Sequence, residues 1–220
     1  MAAARGYSGG VLLHLVRHGQ TASNVAHLLD TAHPGADLDE VGRAQADALV
    51  ERLGGEAVHA IYASDLVRTQ QTAAPLASAL GLSVRVLGGL REIQAGDQEL
   101  SPVWDAYVGV LRAWGEGTLD AALPGGEDAH SFFGRFDAAV AEIAAVGHDH
   151  VVAVTHGAAL RMWVMGRVAG LDAQWAVTQP LGNTAAVVLK GDPDTGWRLV
   201  SWHTGADRDV TASADQVGPR

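Results

Sequence analysis

Five side chains, spread over four distant segments of the sequence, have the types needed to bind and transfer a phosphoryl group. They are two arginines, two histidines and one glutamate: Arg17, His18, Arg68, Glu92 and His156. Guanidinium groups present planar pairs of donors that match phosphoryl oxygens and can stabilise the charge on them in a transition state. A neutral imidazole has a lone pair that can attack phosphorus. If the fold gathers these side chains, they form a site for phosphoryl transfer.

Each of the five side chains can be given a role in such a reaction. We expect His18 to be the nucleophile that forms a covalent phosphohistidine, with Arg17 and Arg68 as the phosphate clamp. We expect His156 to be protonated and to add a positive charge beside the phosphate. Glu92 would protonate the departing alcohol oxygen and then act as the base for the incoming water.

The residues that follow the two histidines could add further contacts. Gly19 and Gly157 would let the backbone approach the substrate, because glycine has no Cβ atom. Thr21 and Asn24 could donate hydrogen bonds to the phosphate, or they could cap a helix. Gln20 could contact the leaving group or cap the same helix. All five residues are therefore predicted to lie at the substrate.

Short apolar runs that precede these residues predict buried strands. The runs are Val11–Val16, Val58–Ala63, Ser83–Leu87 and His150–Thr155, and a hairpin follows from Thr184–Leu189 and Trp197–Trp202. Helical patterns lie between them, at Asp39–Leu53, Ser64–Gly81 with a kink or break at Pro75, Val103–Trp114, Asp128–Val146 and Gly157–Gly170. This alternation predicts an α/β fold: a three-layer αβα sandwich with a mostly parallel central sheet and helices on both faces. In such sheets ligands bind beyond the carboxyl ends of the strands, where the five side chains lie.

The length of 220 residues suits one domain of this kind. Residues from about 93 to 127 are irregular and rich in Gly, Pro, Trp and Asp, and we interpret them as a small cap insertion that covers the site. The tail after residue 203 is small and polar, and we expect it to be loose.

Composition excludes several classes of function. The net charge of −10 argues against a nucleic-acid surface, which would need clustered cations. The chain has no cysteine, which removes thiol nucleophiles and thiolate zinc sites. The sequence contains neither an apolar stretch of about 20 residues nor a signal-peptide pattern, so we expect a cytoplasmic protein without a membrane partner.

Some polar residues outside the five allow other interpretations. The run His148-Asp149-His150 could hold a metal, but we favour a polar turn before a strand. His14 shows no ligand spacing, and we expect it to be structural or exposed. We expect Arg161, on the helix after His156, to be an ion-pair partner and not a substrate contact. No metal and no cofactor is expected.

The stretch Leu15–Asn24, with Arg-His-Gly followed by Thr and Asn, resembles the phosphohistidine loop of the histidine phosphatase superfamily, in its phosphoglycerate mutase-like branch. Further similar stretches follow in family order: Leu38–Ala46, Ser64–Ala73, Leu90–Glu92, Pro124–Glu127, Thr155–Gly157 and Asn183–Thr184. Together they run from about Leu13 to Leu189, which is nearly the whole chain. The resemblance implies a three-layer αβα domain, a metal-independent reaction, a nucleophilic His18, a phosphate pocket of Arg17, Asn24, Arg68 and His156, and Glu92 as acid and base.

The sequence departs from the family pattern after Glu92. The family often has an aromatic-acidic-glycine cluster there, whereas this chain has Gly96-Asp97-Gln98-Glu99-Leu100. Asp97 and Glu99 are therefore rival carboxylates for the role of proton donor. The same departure leaves one wall of the pocket, and with it the choice of substrate, open.

The leading function is a phosphatase acting on a small phosphorylated metabolite. A phosphoglycerate mutase-type transfer is the first alternative, but Arg112 is the only arginine or lysine between Ile93 and Gly134, which is little for holding a substrate carboxylate. The second alternative is a catalytically weak phosphoester-binding protein. A homodimer through the strand Trp197–Trp202 stays open, because that strand could be paired or exposed.

Overall fold

The computed structural model describes residues 10–205 and the backbone of residues 212–213. Within them the strands are β1 Val11–Arg17, β2 Ala60–Ala63, β3 Val84–Val86, β4 His150–Thr155, β5 Ala186–Asp192, β6 Gly196–His203 and β7 Ala212–Ser213. They form one sheet in the order β3-β2-β4-β1-β5-β6-β7. The pairs among β1 to β4 are parallel, and the pairs that add β5, β6 and β7 are antiparallel. The predicted hairpin is therefore confirmed as β5 and β6.

Helices cover both faces of this sheet. They are α1 Ala22–Val25, α2 Glu40–Leu53, α3 Val67–Leu80, α4 Asp105–Gly115, α5 Ala129–Ala145, α6 Gly157–Arg167 and α7 Ala173–Thr178. On one face, Leu49 of α2 and Leu76 of α3 belong to the same buried cluster as Val16 of β1. On the other face, Phe136 of α5 packs in a second cluster with Leu15 of β1. Alternate residues of β1 thus enter opposite cores, and the predicted three-layer αβα sandwich is confirmed.

The helices differ from the predicted ones in three places. Helix α3 is continuous through Pro75, so the expected break is wrong; its buried residues Ala73, Leu76 and Ala77 pack into the core on either side of the proline. Helices α1 and α7 were not predicted, since four and six residues are too few to show a helical period.

Parallel pairing sets which residues meet at the carboxyl ends of the strands. Strands β1 and β4 pair in register up to Arg17 and Thr155. His18 and His156, each the next residue in its chain segment, therefore lie side by side. Strand β2 pairs with β4 and brings Ser64 to the same edge. This edge is where the sequence placed the site.

The segment interpreted as an insertion contains a short 3-10 helix, Gly96–Gln98, and helix α4. Of the predicted loose tail, residues 206–211 and 214–220 lie outside the described residues, while β7 pairs with β6 at Trp202. Across the described ranges, no helix combines the length and the apolar character needed to cross a bilayer. The cap insertion, the homodimer and the cytoplasmic location stay predictions.

Candidate active site

The ring of His18 is buried and held in one tautomer. Its Nδ1 lies 2.7 Å from the carbonyl oxygen of Gly19, and Nε of Arg68 lies 3.1 Å from its Nε2. A carbonyl only accepts and a guanidinium only donates, so Nδ1 carries the hydrogen and Nε2 presents a lone pair. Burial, with the charges of Arg68 and Arg17, holds the pKa of His18 well below its usual range. His18 is therefore neutral.

His156 is also neutral in this structure, whereas the sequence predicts protonation once a phosphate lies beside it. Its ring is fully buried, with Nδ1 3.1 Å from an amino group of Arg68 and Nε2 2.8 Å from Oγ of Ser64. Since Arg68 donates to Nδ1, the hydrogen is on Nε2 and is donated to Ser64. Burial, followed by the charge of Arg68, lowers the pKa of His156 well below its usual range. Within the described part of the chain no carboxylate bonds to the ring, so protonation in this arrangement would leave a buried charge without a carboxylate partner.

Arg68 joins the two histidines and is itself held by Asp30. Its NH2 group donates to the backbone oxygen of Asp30 at 2.7 Å, and its NH1 group lies 3.4 Å from the carboxylate. The other carboxylate oxygen accepts from Ser23 at 2.7 Å. Both side chains of the ion pair are at least nine-tenths buried. Sequence reasoning missed Asp30, which lies in a loop with no motif around it.

Arg17 has a donor left for a ligand. Its NH1 group donates to the carbonyl oxygen of Leu181 at 2.7 Å, whereas its Nε is buried and has no hydrogen-bond partner among residues 10–205. A Cβ atom at position 157 would lie 3.3 Å from this Nε, so Gly157 leaves room for the guanidinium. An unpaired buried donor is costly unless a ligand accepts from it.

The carboxylate of Glu92 lies against the N-terminus of α6, although Glu92 itself belongs to the loop after β3. Its two carboxylate oxygens accept from the backbone nitrogens of Ala159 at 2.7 Å and Ala158 at 3.1 Å. The N-terminus of a helix favours a negative charge, so this position orients the carboxylate. Arg135 donates to the backbone oxygen of Glu92 at 2.9 Å and pairs with Glu127 at 2.5 Å. Glu127, in the stretch that resembled the end of the insertion, therefore helps to hold the segment that carries Glu92.

The two rival carboxylates do not line the cavity at this site. Glu99 accepts from the hydroxyl group of Thr31 at 2.6 Å and from its backbone nitrogen at 2.9 Å. Asp97 packs against Gly125, where an added Cβ would lie 3.0 Å from a carboxylate oxygen. Of the three acids named from the sequence, Glu92 alone lines the cavity.

A cavity of about 1000 Å³ opens at the carboxyl ends of the strands. Seven of the residues predicted from the sequence line it: Arg17, His18, Thr21, Asn24, Arg68, Glu92 and Gly157. Thr21 and Asn24 also form the capping box of α1, which confirms their predicted role as helix caps; donation to a phosphate stays a prediction. Asn183 donates to the side-chain oxygen of Asn24 at 3.1 Å and fixes its orientation.

Three predicted residues do not line the cavity: Gly19, Gln20 and His156. A Cβ at Gly19 would lie 2.6 Å from the carbonyl oxygen of Gly42, so close packing against α2 requires a glycine here. The amide of Gln20 donates to Asp39, the N-cap of α2, at 3.0 Å. His156 lies behind Arg68 and contacts His18 edge-on, with ring centroids 5.2 Å apart.

Arg161 lines the cavity, but in the described part of the chain it forms no ion pair, so that expectation is wrong. It donates instead to the backbone oxygens of Ala176, Val177 and Gln179 at the end of α7. Its guanidinium also lies 5.7 Å from the ring centre of Trp202. The end of a helix leaves carbonyl groups without partners, and an arginine can satisfy several of them.

A separate group at the amino end of β4 could hold a metal ion. His150 begins the strand, and its Nε2 lies 2.9 Å from Nε2 of His14 and 3.3 Å from Glu56. The ligand atoms of these three residues lie within 4.8 Å of one another. Burial is the largest cause that lowers the pKa of both histidines, that of His14 to about 3. A hydrogen bond between two neutral rings accounts for this contact.

Three known proteins are similar to this chain over much of its length. Over 216 residues the chain is 37% identical to a PE-PGRS family protein of Mycobacterium tuberculosis, covering 90% of this chain and 37% of that protein. It is 34% identical over 132 residues to a probable phosphoglycerate mutase of Yersinia pestis, of which it spans 60%. The solved structure of a mycobacterial glucosyl-3-phosphoglycerate phosphatase is 30% identical, with a TM-score of 0.74, and the match covers 90% of this chain and 100% of that one.

The family model that matches the chain covers most of its length. It is the model of the histidine phosphatase superfamily (branch 1), and it matches residues 13–205. The match begins within β1 and ends after β6. The chain belongs to the histidine phosphatase superfamily.

Proposed function

We propose that this protein hydrolyses phosphomonoesters of small molecules through a phosphohistidine on His18. The observation that carries the proposal is the lone pair on Nε2 of His18, in a neutral ring beside the guanidinium groups of Arg17 and Arg68 at one end of the cavity. The unpaired Nε of Arg17 supports an anion at this end. The similar mycobacterial protein is a glucosyl-3-phosphoglycerate phosphatase, which supports hydrolysis.

The reaction proceeds in two steps. Phosphoryl oxygens accept from Arg17 and Arg68, so that Nε of Arg68 turns from His18 to the substrate. Nε2 of His18 attacks phosphorus, the bond from phosphorus to the leaving oxygen breaks, and Glu92 gives that oxygen its proton. In the second step Glu92 takes a proton from water, whose oxygen attacks phosphorus while the bond to Nε2 breaks. Inorganic phosphate leaves, and the neutral His18 and the protonated Glu92 return.

His156 acts in this scheme as a positioning residue. It accepts from Arg68 and donates to Ser64, and it does not line the cavity. A neutral ring at this place holds the guanidinium of Arg68 without adding a third positive charge to those of Arg17 and Arg68. The phosphate charge is then balanced by arginine alone.

Return of the phosphoryl group to a substrate oxygen is the second candidate. The relative from Yersinia pestis is named a probable phosphoglycerate mutase, and Arg112, which could bind a substrate carboxylate, lines the same cavity. A mutase would exchange label between two isomers without releasing phosphate. A phosphatase releases phosphate from each of them.

The test is capture of the intermediate. After a rapid quench with a ³²P-labelled ester, we expect label on the peptide that contains His18, labile in acid and stable in base. His18→Ala should lose both the label and the release of phosphate while it keeps the wild-type unfolding transition. His59→Ala, at an exposed histidine outside the cavity, is the matched control and should keep both. Normal turnover by His18→Ala would overturn the mechanism. Binding of phosphate esters without cleavage of any would favour a binding protein.

A further inference from the structure

The cavity continues well beyond the residues that would hold a phosphate, and one of its walls is an apolar stripe on α4. Trp104, which caps the helix, is followed by Val108, Leu111 and Gly115 at intervals of four, three and four residues. These intervals place the four residues on one face of a helix. That face is turned to the cavity along the whole length of α4.

Helices α6 and α7 form the opposite wall. Ala158, Met162 and Met165 of α6 have the same helical spacing, and they begin beside Glu92 at the phosphate end. Val177 of α7 extends this wall. The apolar surface therefore starts at the catalytic groups and is continuous with them.

Several of these apolar side chains are exposed although a folded chain normally covers such groups. Val108 and Val177 are 41% and 58% exposed, and Trp104 is 41% exposed. Exposed apolar groups that gather in one concave site are typical of ligand-binding surfaces. The polar lining groups away from the phosphate end include Arg112, Glu116 and Gln174, which lie near the ends of α4 and α7.

The polar atoms of Arg161 do not alter the apolar character of the cavity walls. Its guanidinium donates to three backbone oxygens at the end of α7, so those hydrogen bonds are made within the protein. A hydroxyl-rich leaving group that entered between α4 and α6 would lose water and meet few partners on the two stripes. A hydrocarbon group would gain free energy from the same transfer.

We propose that the substrates of this site are phosphomonoesters whose alcohol part is an apolar alkyl or aryl group of several carbons. The proposal rests on the proposed phosphatase function. The phosphate would lie among Arg17, His18 and Arg68, and the hydrocarbon would extend between the stripes of α4 and α6. Specificity then comes from apolar contact along the walls and not from hydrogen bonds to hydroxyl groups.

The experiment measures kcat/KM for a series of n-alkyl phosphates from ethyl to octyl, with glycerol and hexose phosphates as polar esters of similar size. Burial of one methylene group corresponds to about a two- to fourfold gain. We therefore expect kcat/KM to rise about tenfold or more from butyl to octyl phosphate. A flat series, or a hexose phosphate that is a better substrate than octyl phosphate, would overturn the apolar specificity while leaving the phosphatase intact.

Two matched valine variants test whether the α4 stripe causes the dependence of kcat/KM on alkyl chain length. Val108→Asn places an amide on the α4 stripe, and we expect it to flatten the dependence on chain length. Val86→Asn makes the same change at a valine of β3 that is 48% exposed and does not line the cavity, and it should keep the wild-type dependence. Equal dependence in both variants would show that the α4 stripe does not contact the alkyl chain.

Binding measurements with phosphonates distinguish a cavity that does not prefer apolar groups from a protein that is not a phosphatase. If no ester releases phosphate, calorimetry with n-alkyl phosphonates, which cannot be hydrolysed, still measures the contribution of the walls. A Kd that falls with chain length in the wild type, and less in Val108→Asn, would support the apolar site without the phosphatase. A Kd independent of chain length would refute it.

Discussion

A single guanidinium group bonds to both histidines of the site: Arg68 donates through Nε to His18 and through NH2 to His156, each at 3.1 Å. Because arginine only donates, these two bonds fix which nitrogen of each ring carries its hydrogen. The positive charge between the rings also lowers the pKa of both, after burial. The nucleophile is thus kept neutral by the same group that would bind the phosphate.

The negative charge of Asp30 partly neutralises the positive charge of Arg68. Removing the charge of Asp30 tests how much this ion pair contributes. Asp30→Asn should lower the free energy of unfolding by about 3–5 kcal/mol, because a buried guanidinium loses its counter-charge. Inorganic phosphate should then raise the Tm of the variant by more than that of the wild type, since the anion replaces the lost charge.

The control for that variant is Asp137→Asn, which changes an exposed ion pair with Arg167. Exposed pairs contribute about 0–1 kcal/mol, so the loss of stability should be small and the phosphate shift should equal that of the wild type. A smaller phosphate shift in Asp30→Asn than in the wild type would show that the carboxylate positions Arg68 more than it balances its charge.

Glu92→Gln tests the proton donor. We expect kcat/KM for alkyl phosphates to fall about 10²–10⁴-fold, because an alkoxide needs a proton to leave. Nitrophenyl phosphate should lose far less, because its phenolate leaves without one. The glutamine keeps an oxygen that can accept from the start of α6. Glu99→Gln, at the rival carboxylate, should retain the wild-type dependence on the leaving group. An equal loss for both esters in Glu92→Gln would limit this residue to a structural role.

His14 predicts a pH dependence of stability. Burial, then the charge of His150, lowers its pKa from 6.5 to about 3. Between these values the unfolded chain binds a proton that the folded chain does not, so stability falls as the pH decreases through this window. From pH 7 to pH 5 the contribution of His14 is a loss of about 2 kcal/mol.

Urea unfolding at pH 7 and pH 5 measures this contribution. His14→Leu should lose less stability than the wild type over the same interval, and the same change at the exposed His59 should leave the slope at the wild-type value. An identical slope in all three proteins would contradict the burial of a neutral His14.

The proposed reaction draws its positive charge from arginine, and this predicts resistance to chelation. Turnover should be unchanged after incubation with EDTA, because Arg17 and Arg68 supply the charge that stabilises the phosphoryl oxygens. Phosphate release in the same buffer from a zinc-dependent phosphatase is the positive control. Loss of activity that added zinc restores would contradict the prediction, and His14→Leu would then show whether the cluster with Glu56 and His150 holds the ion.

The sequence alone determined the fold class and the main chemical groups of the site. Apolar runs such as His150–Thr155 predict buried strands because strand burial is a local pattern of side chains. Reactive residues directly after such strands must lie at the carboxyl edge of a parallel sheet, so Arg17, His18 and His156 could be brought together before any contact was known.

Tertiary structure alone decided the protonation and the partners of those groups. Asp30 approaches Arg68, and Ser64 approaches His156, from a segment distant in sequence, and no local pattern predicts either contact. Burial also lowers the pKa of His156, because the cost of a buried cation depends on what surrounds the ring in three dimensions. The same holds for the apolar walls: the spacing of Val108 and Leu111 predicts a helical stripe, but only packing shows that the stripe faces the catalytic cavity and not the core.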